Sequence, residues 1–154
     1  MIHPMNHNHP YRRLPIMTVL SFISMYILMY VMVNVLGNVF NNLNQAYMAG
    51  LMTAPMVVIE LALMRAMYQN KRLNTLIIAI SIIAALIFFT LIRQQAAISD
   101  RQFLRSMIPH HAGAITMCEQ ASITEPEIKT LCENIISSQQ SEIDQMRAIL
   151  DKLE

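Results

Sequence analysis

Three long apolar runs decide most of what this chain can be. They lie at about residues 15–36, 46–67 and 73–92; Glu60 breaks the second, which has Arg65 near its end, and no charge interrupts the other two. A helix needs ~20 apolar residues to cross ~30 Å of hydrocarbon. Backbone in lipid must satisfy its own polar groups, which a helix does. The runs therefore predict an all-α protein with three transmembrane helices. The alternative, a soluble bundle, has no use for ~20 consecutive apolar residues.

Charge is distributed to match. Residues 1–98 hold one acid, Glu60, and six bases, whereas residues 99–154 hold nine acids and five bases. The acid-rich end repels nucleic acid and favours cations. Arg12 and Arg13 precede the first run, and Arg65, Lys71 and Arg72 surround the second turn. The positive-inside bias places the N-terminus and that turn in the cytoplasm. The uncharged turn at residues 38–45 and everything after the third run then face outward, which for a bacterial inner membrane is the periplasm. Arg93 is a contrary charge that the others outweigh. The first run is long and lacks a small-x-small site, so an uncleaved anchor is expected rather than a signal peptide.

The second run carries Met48, Met52, Met56, Glu60 and Met64 at four-residue spacing, then Met67, and the first carries Met25, Met29 and Met32. Four-residue spacing puts a series on one helical face. Two readings stand. The thioethers line a path for a soft ion such as Cu(I), with Glu60 as a polar station, or they are flexible packing at helix interfaces. An acid at mid-span faces protein or water rather than lipid. Pairing with Asn34 is one role for Glu60; proton or metal handling is the other. Pro55, about one turn earlier, loosens the helix there.

The tail, residues 1–14, places His3, Met5, His7 and His9 before the first run. Such tracts bind copper, nickel or zinc, or the histidines are incidental. Pro4 and Pro10 argue against a regular helix there.

Residues 99–154 read as an antiparallel helical hairpin. Ser99 and Gln102 fit a capping box, and the first helix runs to about Gln120. Ala121 to Glu125 turn the chain. Thr124 as cap, with Pro126 and Glu127 behind it, starts a second helix that runs to about Leu153. The expected buried stripes are Phe103 or Leu104, Met107, His111, Ala114 and Met117 or Cys118 on the first helix. On the second they are Ile128, Leu131 or Cys132, Ile135, Gln139, Glu142 or Ile143, Met146 and Leu150. His110, His111, Gln139 and Glu142 stand where a core wants Leu. A hairpin centred near Glu125 sets Cys118 opposite Cys132, His111 opposite Gln139, and Met107 opposite Ile143 and Glu142. The result is a His/Met patch: His110, His111, Met107, Met117 and Met146, with Cys118 and Cys132 as further candidate ligands.

Imidazole with thioether suits copper, Cu(I) before Cu(II), and suits zinc less. Gln139 and Glu142 are expected to orient the imidazoles. Structural alternatives stand beside each: histidines that simply hydrogen-bond, Met146 as core, and the cysteines as a disulfide, a thiol metal pair or two small residues. The outward assignment favours the disulfide. Two helices bury little alone, so a second subunit pairing into a four-helix bundle is expected.

The stretch from Asp100 to Leu150 resembles the bacterial domain-of-unknown-function 305 family. The likeness rests on Phe103, Met107, His110, His111, Ala114, Met117, Gln139, Glu142, Ile143 and Met146. The three runs in front look like a membrane-anchored subgroup. The resemblance implies a ferritin-like helical bundle, mostly extracytoplasmic, some members being linked to copper binding and tolerance through Met and His. Many members carry two copies of the motif and Ala where this chain has Cys118 and Cys132.

The functional expectation is a membrane-anchored copper-binding homo-oligomer that buffers or relays copper at the periplasmic face, exchanging with periplasmic copper proteins. A non-catalytic oligomeric scaffold or sensor is the alternative, and copper transport along the Met face a second. No catalytic constellation is evident, so an enzyme is not expected.

Overall fold

The computed structural model describes residues 9–153, the side chain of His9 excepted. The candidate tail ligands His3, Met5 and His7, and the His9 ring, lie outside what is described. Five helices follow in order: α1 (His9–Leu28), α2 (Leu43–Leu63), α3 (Lys71–Arg93), α4 (Asp100–Gln120) and α5 (Pro126–Leu153), with a 3-10 turn at Leu36–Asn38 between the first two. Among the described residues there is no strand. The chain divides into two compact units, residues 9–27 with 46–96, and residues 28–45 with 97–153.

In the first unit α1 packs against α2 and α3. Leu14, Val57, Leu61 and Tyr68 form its buried cluster, flanked by Tyr11, Met17, Ile77 and Ile78. Tyr11, near the start of α1, donates to Asn74 Oδ1 (2.8 Å) and accepts from Asn70 N (3.0 Å), so α1 begins beside the α2–α3 turn. Asn70 caps α3 by accepting from Leu73 N. Further along, Thr53 of α2 reaches the Met25 sulfur. Gly50 on α2 is required, because a Cβ there would meet the Phe88 ring at 2.5 Å.

Among the described residues two helices, α2 and α3, are long and apolar enough to cross a membrane. The helix expected over residues 15–36 has different bounds. It starts at His9 and stops at Leu28. Arg12 and Arg13 occupy its N-terminal part, and the apolar stretch left, from Leu14 to Leu28, rises only ~22 Å at 1.5 Å per residue. Pro10 is tolerated because a proline in the first helical turn forgoes a donor with no helical partner.

The helix stops early because Asn34 turns the chain. Its Oδ1 accepts from Val35 N (2.9 Å) and Asn38 Nδ2 (2.8 Å), a side-chain mimic of a backbone turn. The apolar residues beyond Leu28 serve the second unit, where Val33 and Phe40 pack on the hairpin core. An apolar run does not announce whether lipid or protein will cover it.

The Met series of α2 lies off its packing side. Ala49, Gly50, Thr53, Ala54, Val57 and Leu61 take the packing side. Met48, Met52, Met64 and Met67 are exposed, and Met56 and Glu60 are half-buried. Small residues permit close approach of helices, and the thioethers of Met48, Met52, Met64 and Met67 lie outside that contact. Glu60 lies in the last turn of α2 rather than at mid-span. It accepts from the Tyr68 hydroxyl (3.3 Å), not from Asn34.

Candidate functional site

The site is built on the α4–α5 hairpin. Ser99 caps α4, its hydroxyl accepting from Gln102 N, and Asp100 sits favourably in the first turn. Pro126 opens α5, and the Glu125 carbonyl, rather than Thr124, stands at its head, accepting from Lys129 N. A disulfide joins Cys118 to Cys132 with Cα atoms 5.2 Å apart, beside the turn. At the open end Arg101 donates to the Leu153 carbonyl.

Leu104, Ile108, Ala112 and Ile115 of α4 meet Ile143 and Leu150 of α5 in the core. Leu104, His111, Ile143 and Leu150 are buried as expected, while Ile108, Ala112 and Ile115 join them on the α4 side. Phe103, Met117, Ile128 and Leu131 are exposed, and Met107, Ala114, Ile135, Gln139 and Met146 are half-buried. A third layer packs on this core beside the two helices.

That layer is residues 28–45 of the same chain. Val33 and Phe40 lie on the core, Gln102 accepts from Leu43 N (3.0 Å), Asn44 donates to Ser106 (3.2 Å), and Arg147 donates to the buried Asn38 (2.6 Å). The hairpin was expected to find its missing cover on a second subunit, and part of that cover comes from its own chain. Nothing in a polar turn marks it as a lid for helices distant in sequence; the Asn residues from Asn38 to Asn44 are the one sign of these anchors in the sequence.

His111 is buried on this face and His110 is exposed, as neighbours ~100° apart on a helix must be. Their ring centroids are 6.1 Å apart. His111 Nδ1 lies 3.0 Å from the Met107 carbonyl and Nε2 lies 2.7 Å from Glu142 Oε2. The partner is Glu142, not Gln139. The register of this pair sets Met107, one turn before His111 on α4, level with Met146, one turn after Glu142 on α5.

Proton counting gives this arrangement its chemistry. The Met107 carbonyl can only accept, so Nδ1 carries a proton. In a neutral ring Nε2 then presents a lone pair to a carboxylate, which is favourable only with a cation between or on them. A proton or a metal ion satisfies it. The Nδ1–carbonyl bond fixes the tautomer and aims Nε2, as metal-binding histidines require.

His111 and Glu142 are two candidate ligand side chains in contact, and among the described residues no group of three or more His, Cys, Asp or Glu side chains comes together. Any further donor is a thioether or another group. Cys118 and Cys132 leave the candidate ligand set in this form, since a disulfide offers no thiolate.

The family model described as "Domain of unknown function (DUF305)" matches residues 62–150, from the end of α2 through nearly all of α5. "Uncharacterized protein L153" of Acanthamoeba polyphaga mimivirus is 43% identical over 112 residues, covering 71% of this chain and 72% of the relative. No solved structure matches. The matched span contains both hairpin helices, the His-His step and Glu142, and the chain is a member of the DUF305 family.

Proposed function

We propose that the chain is a membrane-anchored copper-binding protein that buffers or relays copper from its hairpin. The observation that carries this reading is the His111–Glu142 step, where a fixed imidazole nitrogen meets a carboxylate across 2.7 Å. His111 Nε2 and Glu142 would hold the ion, with Met107 and Met146 one turn away. Copper accepts imidazole and carboxylate as Cu(II) and imidazole and thioether as Cu(I), so it suits this mixed set better than zinc does.

Anchoring is supported by the outer surface of α3, where Leu76, Ile80, Ile83, Leu86, Ile87 and Phe89 are all exposed. A contiguous apolar surface of that size marks a membrane or partner contact. With α2 and α3 as an antiparallel pair of spans, residues 28–45 and 97–153 emerge on one side of the bilayer. The Cys118–Cys132 disulfide favours the oxidising, extracytoplasmic side. A second reading, an oligomeric scaffold, is favoured by the exposed Phe103, Met117, Ile128 and Leu131 of the hairpin, which a second copy would cover.

Competition titration of the full-length protein in detergent tests the first reading. Wild type is expected to bind copper, and His111→Ala and Glu142→Gln are each expected to weaken one equivalent at least tenfold. Variants that bind as wild type does would sink it.

A further inference from the structure

The two adjacent histidines serve different places, and the outer one has its own surroundings. Both nitrogens of His111 face oxygen atoms. Among the described residues no hydrogen bond engages His110, which points away from the hairpin core. On its face of α4 the next positions are Gly113 and Met117, three and seven residues on. Side chains at such spacing are surface neighbours, with Cβ atoms ~5–6 Å apart for each three- or four-residue step.

Gly113 is bare, and the α1–α2 connection comes down onto it. The Cβ and the carbonyl oxygen of Met32 each lie 3.8 Å from where a Gly113 Cβ would stand. A thioether on three rotatable bonds therefore starts from the gap between His110 and Met117. Met32 and Met117 are 48% and 55% exposed, so neither sulfur is consumed by the core. The connection that presents Met32 is fixed by Val33 and Phe40 in the core and by the Asn38–Arg147 bond.

We infer that Met32 is a metal ligand, and that with His110 and Met117 it forms a second station beside the His111–Glu142 step. One imidazole and two thioethers make a soft set with no carboxylate, which selects Cu(I). The hairpin then holds two stations of different character on adjacent residues: an inner one of imidazole and carboxylate with the Met107 and Met146 thioethers a turn away, and an outer one of imidazole and two thioethers. This rests on the copper reading above and adds to it a ligand from outside the hairpin.

The test uses full-length protein under anaerobic conditions, titrated with Cu(I) against a chromogenic Cu(I) chelator, with methyl NMR of the methionines using Ag(I) as a diamagnetic stand-in. Two Cu(I) equivalents are expected. Met32→Leu, Met117→Leu and His110→Ala should each weaken the same equivalent tenfold or more and leave the other in place. The Met32 and Met117 methyl signals should move together on adding Ag(I). Met32→Leu keeps size and apolarity, so folding is preserved, and unchanged α-helical circular dichroism checks it. If Met32→Leu binds both equivalents as wild type does, or its methyl signal stays still while that of Met117 moves, the inference fails and the copper reading stands. If wild type binds no Cu(I) or Cu(II), the copper reading fails and takes this inference with it.

Discussion

Arg147 of α5 donates to Asn38 at 2.6 Å, and Asn38 in turn donates to Asn34. This chain of bonds ties the α1–α2 connection to the hairpin across 109 residues of sequence. Asn38 is 2% exposed, so its carbonyl has little water to replace the guanidinium. Arg147→Met keeps the apolar stem and removes the donor. The expected loss is about 1–2 kcal/mol, the usual range for a partly buried charged hydrogen bond less the relief of Arg147 Nε, which is buried without a partner. Hydrogen exchange should quicken at residues 34–42 and leave the α4–α5 contact near the disulfide protected.

The disulfide closes a loop with a sequence separation of 14. Loops of that length contribute about 3 kcal/mol through the unfolded state. Cys118→Ser/Cys132→Ser should therefore fray the closed end, with faster exchange from about residue 116 to 134 and a lower denaturation midpoint. Copper stoichiometry should not change, because the sulfurs are bonded to each other. A lost metal equivalent in the double variant would return the cysteines to the ligand set.

Tyr68 lies in the α2–α3 turn, outside both apolar helices, and its hydroxyl is held above the ordinary 10.0. Burial is the first cause, and the Glu60 charge and hydrogen bond add to it. The folded state thus holds this proton more tightly than the unfolded state. The associated stability is fully present below about pH 10 and is lost as pH rises through the higher folded value. Absorbance titration should show one of the five tyrosines ionising late, and Tyr68→Phe should remove that step. Glu60→Gln should bring the step earlier.

Much of this architecture was legible because two signals are local. Capping residues and prolines fixed α4 and α5 to within a residue, since Ser99 and Pro126 act on their own first turns. The level of Cys118 with Cys132 followed from the length of the turn. What the sequence did not carry is long-range. Residues 29–36 read as membrane because Val31, Val33 and Val35 are apolar, yet Val33 covers a protein core. On α4 Ile108, Ala112 and Ile115 join Leu104 and His111 in the core while Met117 is exposed, and the register brought Glu142 rather than Gln139 to His111. The His-His step was visible as polar residues on an apolar face; its division into an inner and an outer ring needed the partner helix.

Gly50 and Phe88 test whether α2 and α3 pack as described. A Cβ on residue 50 would stand 2.5 Å from the ring, so Gly50→Ala requires the ring or the helix to move. Overpacking of this kind costs typically ~1–3 kcal/mol, reduced here by about 1 kcal/mol for the better helix propensity of Ala. A lower midpoint of thermal unfolding in detergent is expected, and Gly50→Ala/Phe88→Leu should recover it. Recovery would be absent if the two residues are not in contact.

Glu142→Gln separates what the His111 pair does for folding from what it does for metal. Glu142 is half exposed at its side chain, so water screens the loss of charge. The amide of Gln can donate to the His111 Nε2 lone pair while Nδ1 keeps its bond to the Met107 carbonyl. Stability should change by less than about 1 kcal/mol, and the His111 ring should stay in place by NMR. Metal binding should respond differently, because an amide brings no negative charge to a cation. A tenfold or greater loss of affinity with an unmoved midpoint assigns the carboxylate to the ion. A matched loss of stability and affinity would assign it to the fold.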